Sequence, residues 1–221
     1  MTHPNFDLGP VPTLAPKALT DALASVVTPH ISDNLRRMSG IGGLQRFNRA
    51  RKLVGTAYTI KARPGDNLLI YRALKEIEPG HVLVIDGGGD PNNALVGELI
   101  MLYALQRGCA GFVIDGAIRD VRGFFEADFP CYARSNTHRG PYKLGPGATN
   151  RDVTVGGQVV HPGDVVVGDE DGVVSFDPAD AERLLAAIAQ TAQTEDAIKA
   201  EIATGRKEQA WLDRTLAAHG L

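Results

Sequence analysis

Short runs of apolar residues alternate with glycine-rich turns through the middle of the chain, and their lengths predict strands and helices in turn. Residues 82–85 form a continuous apolar run, which is typical of a strand buried on both faces. Residues 94–107 are predicted to be a helix that ends at Gly108, and residues 111–114 a second buried strand. We expect these two strands to lie parallel, joined by a right-handed crossover.

The remaining segments extend this pattern in both directions. The first dozen residues are proline-rich and are predicted to be an extended arm. After Pro146, short β-branched runs separated by glycine and aspartate turns predict a compact β layer. The simplest interpretation is one α/β domain over 1–221, with an N-terminal arm and helix at 1–27 and a helical extension at 178–221. Further predicted helices are 16–27, a short one from Thr28, 67–77 and a long one over 178–203; further predicted strands are 53–60, 131–134, 153–155, 158–160, 165–167 and 172–176.

Composition excludes several classes of function. The 221 residues carry 23 Lys and Arg against 26 Asp and Glu, a net charge of −3, which argues against a general binder of nucleic acid or anionic membranes. No signal-peptide pattern is visible, and no apolar run approaches the ~20 residues that span a bilayer. We therefore expect a cytoplasmic protein. Cys109 and Cys131 have no CxxC spacing and are predicted to be small buried hydrophobic residues.

Candidate chemistry lies where the two parallel strands end, because ligands bind at the carboxyl edge of such sheets. The first predicted loop, 86–93, is glycine-rich and leads into a helix whose early N–H groups attract an anion. The second, 115–120, ends with Arg119 and Asp120, and Glu98 near the start of the facing helix is a second carboxylate. This combination suits a small carboxylate substrate beside a metal ion.

Each of these features also has a plainer interpretation. Residues 87–89 fit neither G-x-G-x-x-G nor a phosphate-binding P-loop, and a merely flexible turn stays open for them. An Arg-Asp pair is common on solvated surfaces. The acidic run 169–172 lacks the rest of an EF-hand loop and is predicted to be a turn before a strand. Neither a G-x-S-x-G elbow nor an H-E-x-x-H helix occurs.

The spacing from Glu98 across 20 residues to Arg119-Asp120 resembles the (D/E)-x20-R-D signature of 4-hydroxy-4-methyl-2-oxoglutarate/4-carboxy-4-hydroxy-2-oxoadipate aldolases. These are class II pyruvate aldolases that share a fold with the RraA regulators of ribonuclease E. The resemblance covers about residues 28–205. Further matching motifs are Ser32-Asp33, Gly55-Thr56-Ala57, Asp66-Asn67, Pro79-Gly80, Asp115-Gly116, Pro162-Gly163-Asp164 and the run 168–174.

The resemblance implies a three-layer β/β/α domain, with helical N- and C-terminal extensions here, assembled as trimers or hexamers. It implies cleavage of 4-hydroxy-2-oxo acids to pyruvate through a pyruvate enolate, and decarboxylation of oxaloacetate through the same enolate. Asp120 would hold Mg²⁺ or Mn²⁺ directly, with Glu98 helping through bound water. Arg119 would contact the ketone oxygen. The pyruvyl carboxylate would be bound by the backbone around Gly97, Leu99 and Ile100 and by the side chain of Asn67.

Two alternatives stay open at this stage. The same fold also serves a non-catalytic regulator that binds a ribonuclease or helicase, although the N-terminal segment and long C-terminal helix resemble the aldolases more. Glu195, on the apolar face of that helix, resembles a family glutamate that reaches the active site of an adjacent subunit. An ordinary solvated acid is an equally open interpretation of Glu195.

Overall fold

The computed structural model describes residues 5–205, 207 and 209–221. The chain divides into two compact units, with the boundary between Ala181 and Glu182. The first unit contains the sheet and all seven residues that the sequence places at the candidate site. The second unit is helical and corresponds to most of the predicted C-terminal extension; the single domain over 1–221 stays a prediction.

The first unit is organised around one large mixed sheet. The strands are β1 (Phe6–Leu8), β2 (Gln45–Arg46), β3 (Leu53–Ala62), β4 (His81–Asp86), β5 (Ala94–Val96), β6 (Gly111–Ile118), β7 (Cys131–Asn136), β8 (Gly147–Thr149), β9 (Val153–Val155), β10 (Gln158–Val160), β11 (Val165–Asp169) and β12 (Gly172–Phe176). The main path of the sheet runs β1-β8-β3-β4-β6-β7-β2; β11 pairs with β3 and β12, and β5 pairs with the end of β6. Strands β3, β4, β6 and β7 are parallel neighbours, while β9 and β10 form a separate antiparallel hairpin.

Helices connect the parallel strands and extend the chain at both ends. The helices are α1 (Lys17–Leu23), α2 (Thr28–Asn34), α3 (Leu68–Glu76), α4 (Glu98–Gln106), α5 (Val121–Ala127), α6 (Ala181–Ala203) and α7 (Ala210–Ala218), with a 3₁₀ turn at Pro178–Asp180. Helix α4 ends shortly before Gly108, which takes a φ of +72°, a left-handed conformation that glycine adopts without steric cost. Among the described residues, none of these helices combines the length and apolar character needed to cross a membrane.

The alternation of side chains along the central strands creates two cores. In β4, Leu83 and Ile85 face one core while Val82 and Val84 face the other, and all four are fully buried. The first core includes apolar residues of α3, α4 and α5, and the second includes β9, β10 and β12. Helices, central sheet and β hairpin thus form three layers, which confirms the β/β/α architecture expected from the resemblance.

The parallel pairing of β4 and β6 is confirmed, but the helix predicted over 94–107 begins four residues too early. Ala94–Val96 is strand β5, and α4 starts only at Glu98. Ala94 pairs with Ala117 and Val96 with Ile118, a long-range pairing that the continuous apolar pattern conceals. The glycine-rich loop therefore leads into a strand rather than directly into the helix.

Two other predictions need correction for the same physical reason. Residues 115–118 are predicted to lie in a loop, but β6 continues to Ile118 because β5 pairs with it. Strands β11 and β12 join the main sheet through β3 instead of forming a layer with β9 and β10. Within the predicted N-terminal arm, whose residues 1–4 lie outside the described residues, Phe6–Leu8 is strand β1 and pairs with β8 in parallel. In each case the partner strand is remote in sequence, so the local pattern does not reveal the pairing.

Cys109 and Cys131 are buried and not disulfide-bonded, as predicted. Burial raises the pKa of the Cys109 thiol to about 12 and raises that of Cys131 further still. Both thiols therefore stay protonated at neutral pH and behave as hydrophobic residues.

Candidate active site

The candidate site forms where β6 ends and α5 begins. The Arg119 N–H donates a hydrogen bond to the Val96 carbonyl oxygen at 3.0 Å, which ties the end of β6 to the end of β5. Asp120 then takes a left-handed conformation with φ +57°, and α5 starts at the next residue. This turn is uncommon for a residue other than glycine, asparagine or aspartate. It brings two consecutive charged side chains against the segment between β5 and α4.

Gly97 makes this close approach possible. A Cβ at Gly97 would lie 2.4 Å from Asp120 Oδ2 and 3.0 Å from Arg119 Cγ, so any larger residue would displace both side chains. The Glu98 N–H, at the start of α4, donates to Asp120 Oδ2 at 3.1 Å. Arg119 Nε lies 3.7 Å from the same oxygen. One carboxylate oxygen of Asp120 thus faces both the N-terminus of α4 and the Arg119 guanidinium.

A cavity of about 180 Å³ opens beside these groups. Arg119 and Asp120 are each roughly half-exposed there. The cavity brings together all seven residues predicted from the sequence, which come from three separate segments. They are Asn67, Gly97, Glu98, Leu99, Ile100, Arg119 and Asp120.

Helix α4 presents unpaired backbone donors to this cavity. Its first intrahelical hydrogen bond runs from the Met101 N–H to the Gly97 carbonyl oxygen at 3.1 Å. Because the Glu98 N–H already binds Asp120, the N–H groups of Leu99 and Ile100 are those without an intrahelical partner. Such donors at a helix N-terminus suit a carboxylate ligand.

Asn67, the residue just before α3, also lines the cavity. Its side chain is buried, and Nδ2 donates to the Leu95 carbonyl oxygen at 3.1 Å. Within the described part of the chain, its Oδ1 has no hydrogen-bond partner. Because a side-chain amide has two hydrogens on Nδ2, one donor stays available for a ligand.

Five further lining residues are not predicted from the sequence: Tyr71, Leu95, Val96, Pro141 and Lys143. Tyr71 follows Asn67 by four positions, so the helical period of α3 could have indicated it. Lys143 Nζ lies 5.7 Å from the centre of the Tyr71 ring, within cation–π range. The loop that carries Pro141 and Lys143 has no periodic pattern, and no sequence signal places it at the site.

The two aspartates that open the predicted loops, Asp86 and Asp115, are engaged elsewhere. Asp86 is ion-paired with Lys61, and Asp115 with Arg134. Asp115 also accepts a hydrogen bond from the Gly156 N–H at 2.9 Å. Burial raises the pKa of Asp115, but the hydrogen bonds from Arg134 and Gly156 outweigh it, and the pKa lies below its usual range. Both carboxylates therefore stabilise the edge of the sheet and do not line the cavity.

A larger cavity, of about 420 Å³, lies along α2, the segment 39–42 and β12. Its charged lining residues in the described chain are Asp33 and Asp171, and Asp33 is ion-paired with Arg37 at 3.3 Å. Two acids without a cation in the described lining make this cavity a poor binding site for an anionic ligand. Charge therefore favours the smaller cavity, which Arg119 and Lys143 line, as the candidate site for an anion.

The donor set at the smaller cavity fits a hard divalent cation of the Mg²⁺ type. No cluster of three or more His, Cys, Asp or Glu side chains with metal-binding geometry occurs among the described residues. Mg²⁺ does not need such a cluster, because it keeps several waters and binds through one or two carboxylates and the substrate. Asp120 would supply one carboxylate. The Glu98 side chain, which lies against Gly123 and lines the same cavity, would supply a second.

Fold and site together define a three-layer α/β protein with an arginine, a carboxylate and a helix N-terminus around one cavity. The family model RraA-like, described as Aldolase/RraA, matches residues 28–175. The chain belongs to this RraA-like family.

Three individual proteins show the range of the similarity. A protein of Halalkalibacterium halodurans, provisionally named 4-hydroxy-4-methyl-2-oxoglutarate aldolase, is 37% identical over 162 residues, 73% of this chain and 77% of that protein. A Paraburkholderia phytofirmans protein with the same provisional name is 40% identical over 128 residues, 58% of this chain and 77% of its own. The solved structure of the RNA-processing inhibitor RraA from Thermus thermophilis has a TM-score of 0.63 and 31% identity, covering 69% of this chain and 93% of that one.

Proposed function

We propose that this protein is a divalent-metal-dependent class II pyruvate aldolase that cleaves 4-hydroxy-2-oxo acids, of the 4-hydroxy-4-methyl-2-oxoglutarate type, to pyruvate. The observation that carries the proposal is the contact of Arg119 and Asp120 with Gly97 at the N-terminus of α4. The provisional aldolase names of two relatives support it. Oxaloacetate decarboxylation is proposed as a second reaction through the same enolate.

Substrate binding in this proposal begins with the 2-oxo acid end. The Leu99 and Ile100 N–H groups, the backbone at Gly97 and the Asn67 amide donate hydrogen bonds to the carboxylate. Arg119 donates to the adjacent ketone oxygen. These contacts fix the bond between C3 and C4 next to Asp120, so the reacting atoms are oriented before cleavage.

Cleavage breaks the C3–C4 bond, removes a proton from the C4 hydroxyl and then adds a proton to C3. The C4 hydroxyl loses its proton to a solvent base, the C3–C4 bond breaks, and its electron pair forms the enolate of pyruvate. C3 then takes up a proton, and the C4 fragment leaves as a carbonyl compound. Arg119 stabilises the negative charge on the former ketone oxygen, where donors oriented in advance contribute most. A divalent cation held directly by Asp120, and by Glu98 through water, would act as a Lewis acid for the same oxygen.

Removing divalent cations is expected to abolish pyruvate release. Without a Lewis acid the enolate charge has Arg119 alone to stabilise it, and the chain is proposed to use no lysine Schiff base. Pyruvate released from oxaloacetate and from 4-hydroxy-4-methyl-2-oxoglutarate should be measured after exhaustive chelation and after adding back Mg²⁺ or Mn²⁺. Activity should return with the cation. Full activity of the chelated protein would remove metal from the proposal.

We also propose a homo-oligomer, a trimer or hexamer, as the active form. Glu195 lies on α6, where its Oε2 is 3.3 Å from Lys199 Nζ. An ion pair with a residue one helical turn away is typical of an ordinary solvated acid, so the role of Glu195 in the site of a neighbouring subunit stays a prediction. Full activity of Glu195→Ala would contradict that role.

The second candidate function is a non-catalytic regulator. The specific observation in its favour is the 31% identity to the Thermus RNA-processing inhibitor. A regulator would bind a ribonuclease or helicase and would form no enolate from pyruvate. Tight binding to such a partner, together with no enolate chemistry, would favour this function over the aldolase.

A further inference from the structure

His138 lines a third cavity, of about 320 Å³, together with Arg119 and Asp120. The same two residues line the candidate active-site cavity, so His138 shares a cavity with groups that the proposed reaction already uses. Neither the spacing of the motif nor the family resemblance gives this histidine a role. The question is what an imidazole beside this arginine and this carboxylate contributes to the chemistry.

Backbone hydrogen bonds place His138 next to the end of β6. In the pairing of β6 with β7, Ile118 lies opposite Asn136, and the Thr137 N–H donates to the Ile118 carbonyl oxygen at 2.9 Å. Arg119 is the residue after Ile118, and His138 is the residue after Thr137. Arg119 and His138 therefore start from backbone positions on either side of one hydrogen bond.

The backbone is anchored on both sides of His138. On one side, the hydroxyl of Thr137 lies 3.4 Å from the Asn92 carbonyl oxygen. On the other side, the Ala94 N–H donates to the Arg139 carbonyl oxygen at 2.9 Å. Because both neighbours are held, the backbone at His138 is preformed, and rotation of its exposed side chain is what remains to orient the imidazole.

The chemistry of the lining makes the imidazole a proton acceptor. The charged groups near His138 are Arg119 and Asp120 in the same lining and Arg139, the next residue in the loop. A guanidinium has no site that accepts a proton, and the proposed function assigns Asp120 to the cation. An imidazole accepts and releases a proton near neutral pH. His138 is therefore the group in this lining that is left for proton transfer.

Two other histidines show the contrast. His81 is fully buried, and its Nδ1 accepts a hydrogen bond from the Glu78 N–H at 2.9 Å. Nδ1 of His161 lies 2.8 Å from Asp152 Oδ1. Neither of them lines the third cavity or the candidate active-site cavity. Among the histidines that the structure describes, His138 is the one that shares a cavity with Arg119 and Asp120.

We infer that His138 takes up the proton of the substrate's C4 hydroxyl through one water molecule, and is thus the positioning residue for the solvent base of the cleavage step. This inference rests on the proposed aldolase activity. The hydroxyl gives its proton to the water and the water gives one to the imidazole, while the C3–C4 electron pair forms the enolate. The imidazolium later returns its proton to solvent, and C3 takes one from solvent, so protons and electrons balance. The third cavity has room for this water, which needs roughly 30 Å³.

The two reactions proposed for this site differ in their need for such a base. Cleavage of a 4-hydroxy-2-oxo acid has to remove a hydroxyl proton as the carbon–carbon bond breaks. Oxaloacetate loses carbon dioxide from a carboxylate, so no hydroxyl proton has to be removed to reach the same enolate. A loss confined to cleavage therefore reports on the base, whereas an equal loss in both reactions reports on the site that they share.

His138→Gln keeps a polar side chain of similar size that cannot take up a proton. We expect it to lower the ratio of kcat for cleavage of 4-hydroxy-4-methyl-2-oxoglutarate to kcat for decarboxylation of oxaloacetate by about 100-fold, a typical contribution of a general base. In the wild-type protein, kcat for cleavage should also fall on the acid side of neutral pH, where imidazoles become protonated. The variant should lose this pH dependence.

His161→Gln is the matched control, because it changes an exposed histidine outside both cavity linings and should leave the ratio unchanged. An unchanged ratio in His138→Gln, an equal loss of both reactions in the folded variant, or an acid limb that persists in it would each overturn the inference. If His138→Gln is unfolded by circular dichroism, His138→Asn decides the result by the same criteria. Wild-type protein that releases no pyruvate from either substrate would instead contradict the proposed function.

Discussion

Arg119→Lys is expected to lower kcat for pyruvate release by roughly 100-fold or more, the cost of removing one oxyanion donor from a hydrolytic enzyme. Lysine keeps the positive charge but loses the planar set of donors that can contact the ketone oxygen and lie beside Asp120 at the same time. In the folded protein Arg119 Nε is 3.7 Å from Asp120 Oδ2, and Nη1 packs near Gly140. A flexible ammonium group cannot reproduce both contacts.

Steady-state kinetics with 4-hydroxy-4-methyl-2-oxoglutarate, with saturating Mg²⁺, measures this effect. Arg122→Lys is the matched control, because Arg122 is exposed three residues away and is ion-paired with Glu126 at 2.6 Å. The control should keep wild-type kcat. Near-normal turnover of Arg119→Lys would move Arg119 from catalysis to a structural role.

Gly97→Ala is expected to lower kcat/KM by about 100-fold, as small misplacements of reacting groups do, while the fold is kept. The backbone at Gly97 has φ −147°, which alanine adopts freely, so the strain is local. The new methyl group would lie 2.4 Å from Asp120 Oδ2 and must push that carboxylate away from the Glu98 N–H. The Asp120 and Arg119 side chains would both shift, although neither is mutated.

The measurement combines kinetics with thermal unfolding followed by circular dichroism. Gly42→Ala is the control, because a Cβ at Gly42 meets its nearest atom at 3.5 Å, an ordinary contact, and lies outside the proposed active site. Both variants should unfold near the wild-type temperature, and only Gly97→Ala should lose activity. Equal activity in the two variants would show that the close approach at Gly97 does not matter for catalysis.

The sequence was sufficient for much of the fold because its strongest signals are local. Residues 82–85 are apolar throughout since both faces of β4 are buried, and Gly108 ends α4 as its position indicated. The start of α4 was wrong because Ala94–Val96 continues the apolar run of the helix. Only pairing with the end of β6, more than 20 residues away in sequence, makes that segment a strand.

The grouping of Glu98, Arg119 and Asp120 around one cavity could be predicted for a similar reason, while their roles stay a prediction. Glu98 and the Arg119-Asp120 pair have a fixed spacing, and the carboxyl edge of a parallel sheet brings such positions together. The loop 137–143 could not be predicted, because hydrogen bonds to β5, β6 and the residue before α3 position it rather than any pattern of its own. The lining residues Pro141 and Lys143 were missed with it.

The measurement that tests the central claim most directly is exchange of the methyl protons of pyruvate in D₂O, followed by proton NMR. An enzyme that stabilises the pyruvate enolate removes a proton from C3 and returns a deuteron, without needing the physiological aldol substrate. We predict that the wild-type protein with Mg²⁺ or Mn²⁺ exchanges these protons, and that Asp120→Asn, which keeps the size of the side chain but loses its charge, does not. No exchange by the metal-loaded wild-type protein would contradict the assignment of enolate chemistry to the cavity at Arg119 and Asp120.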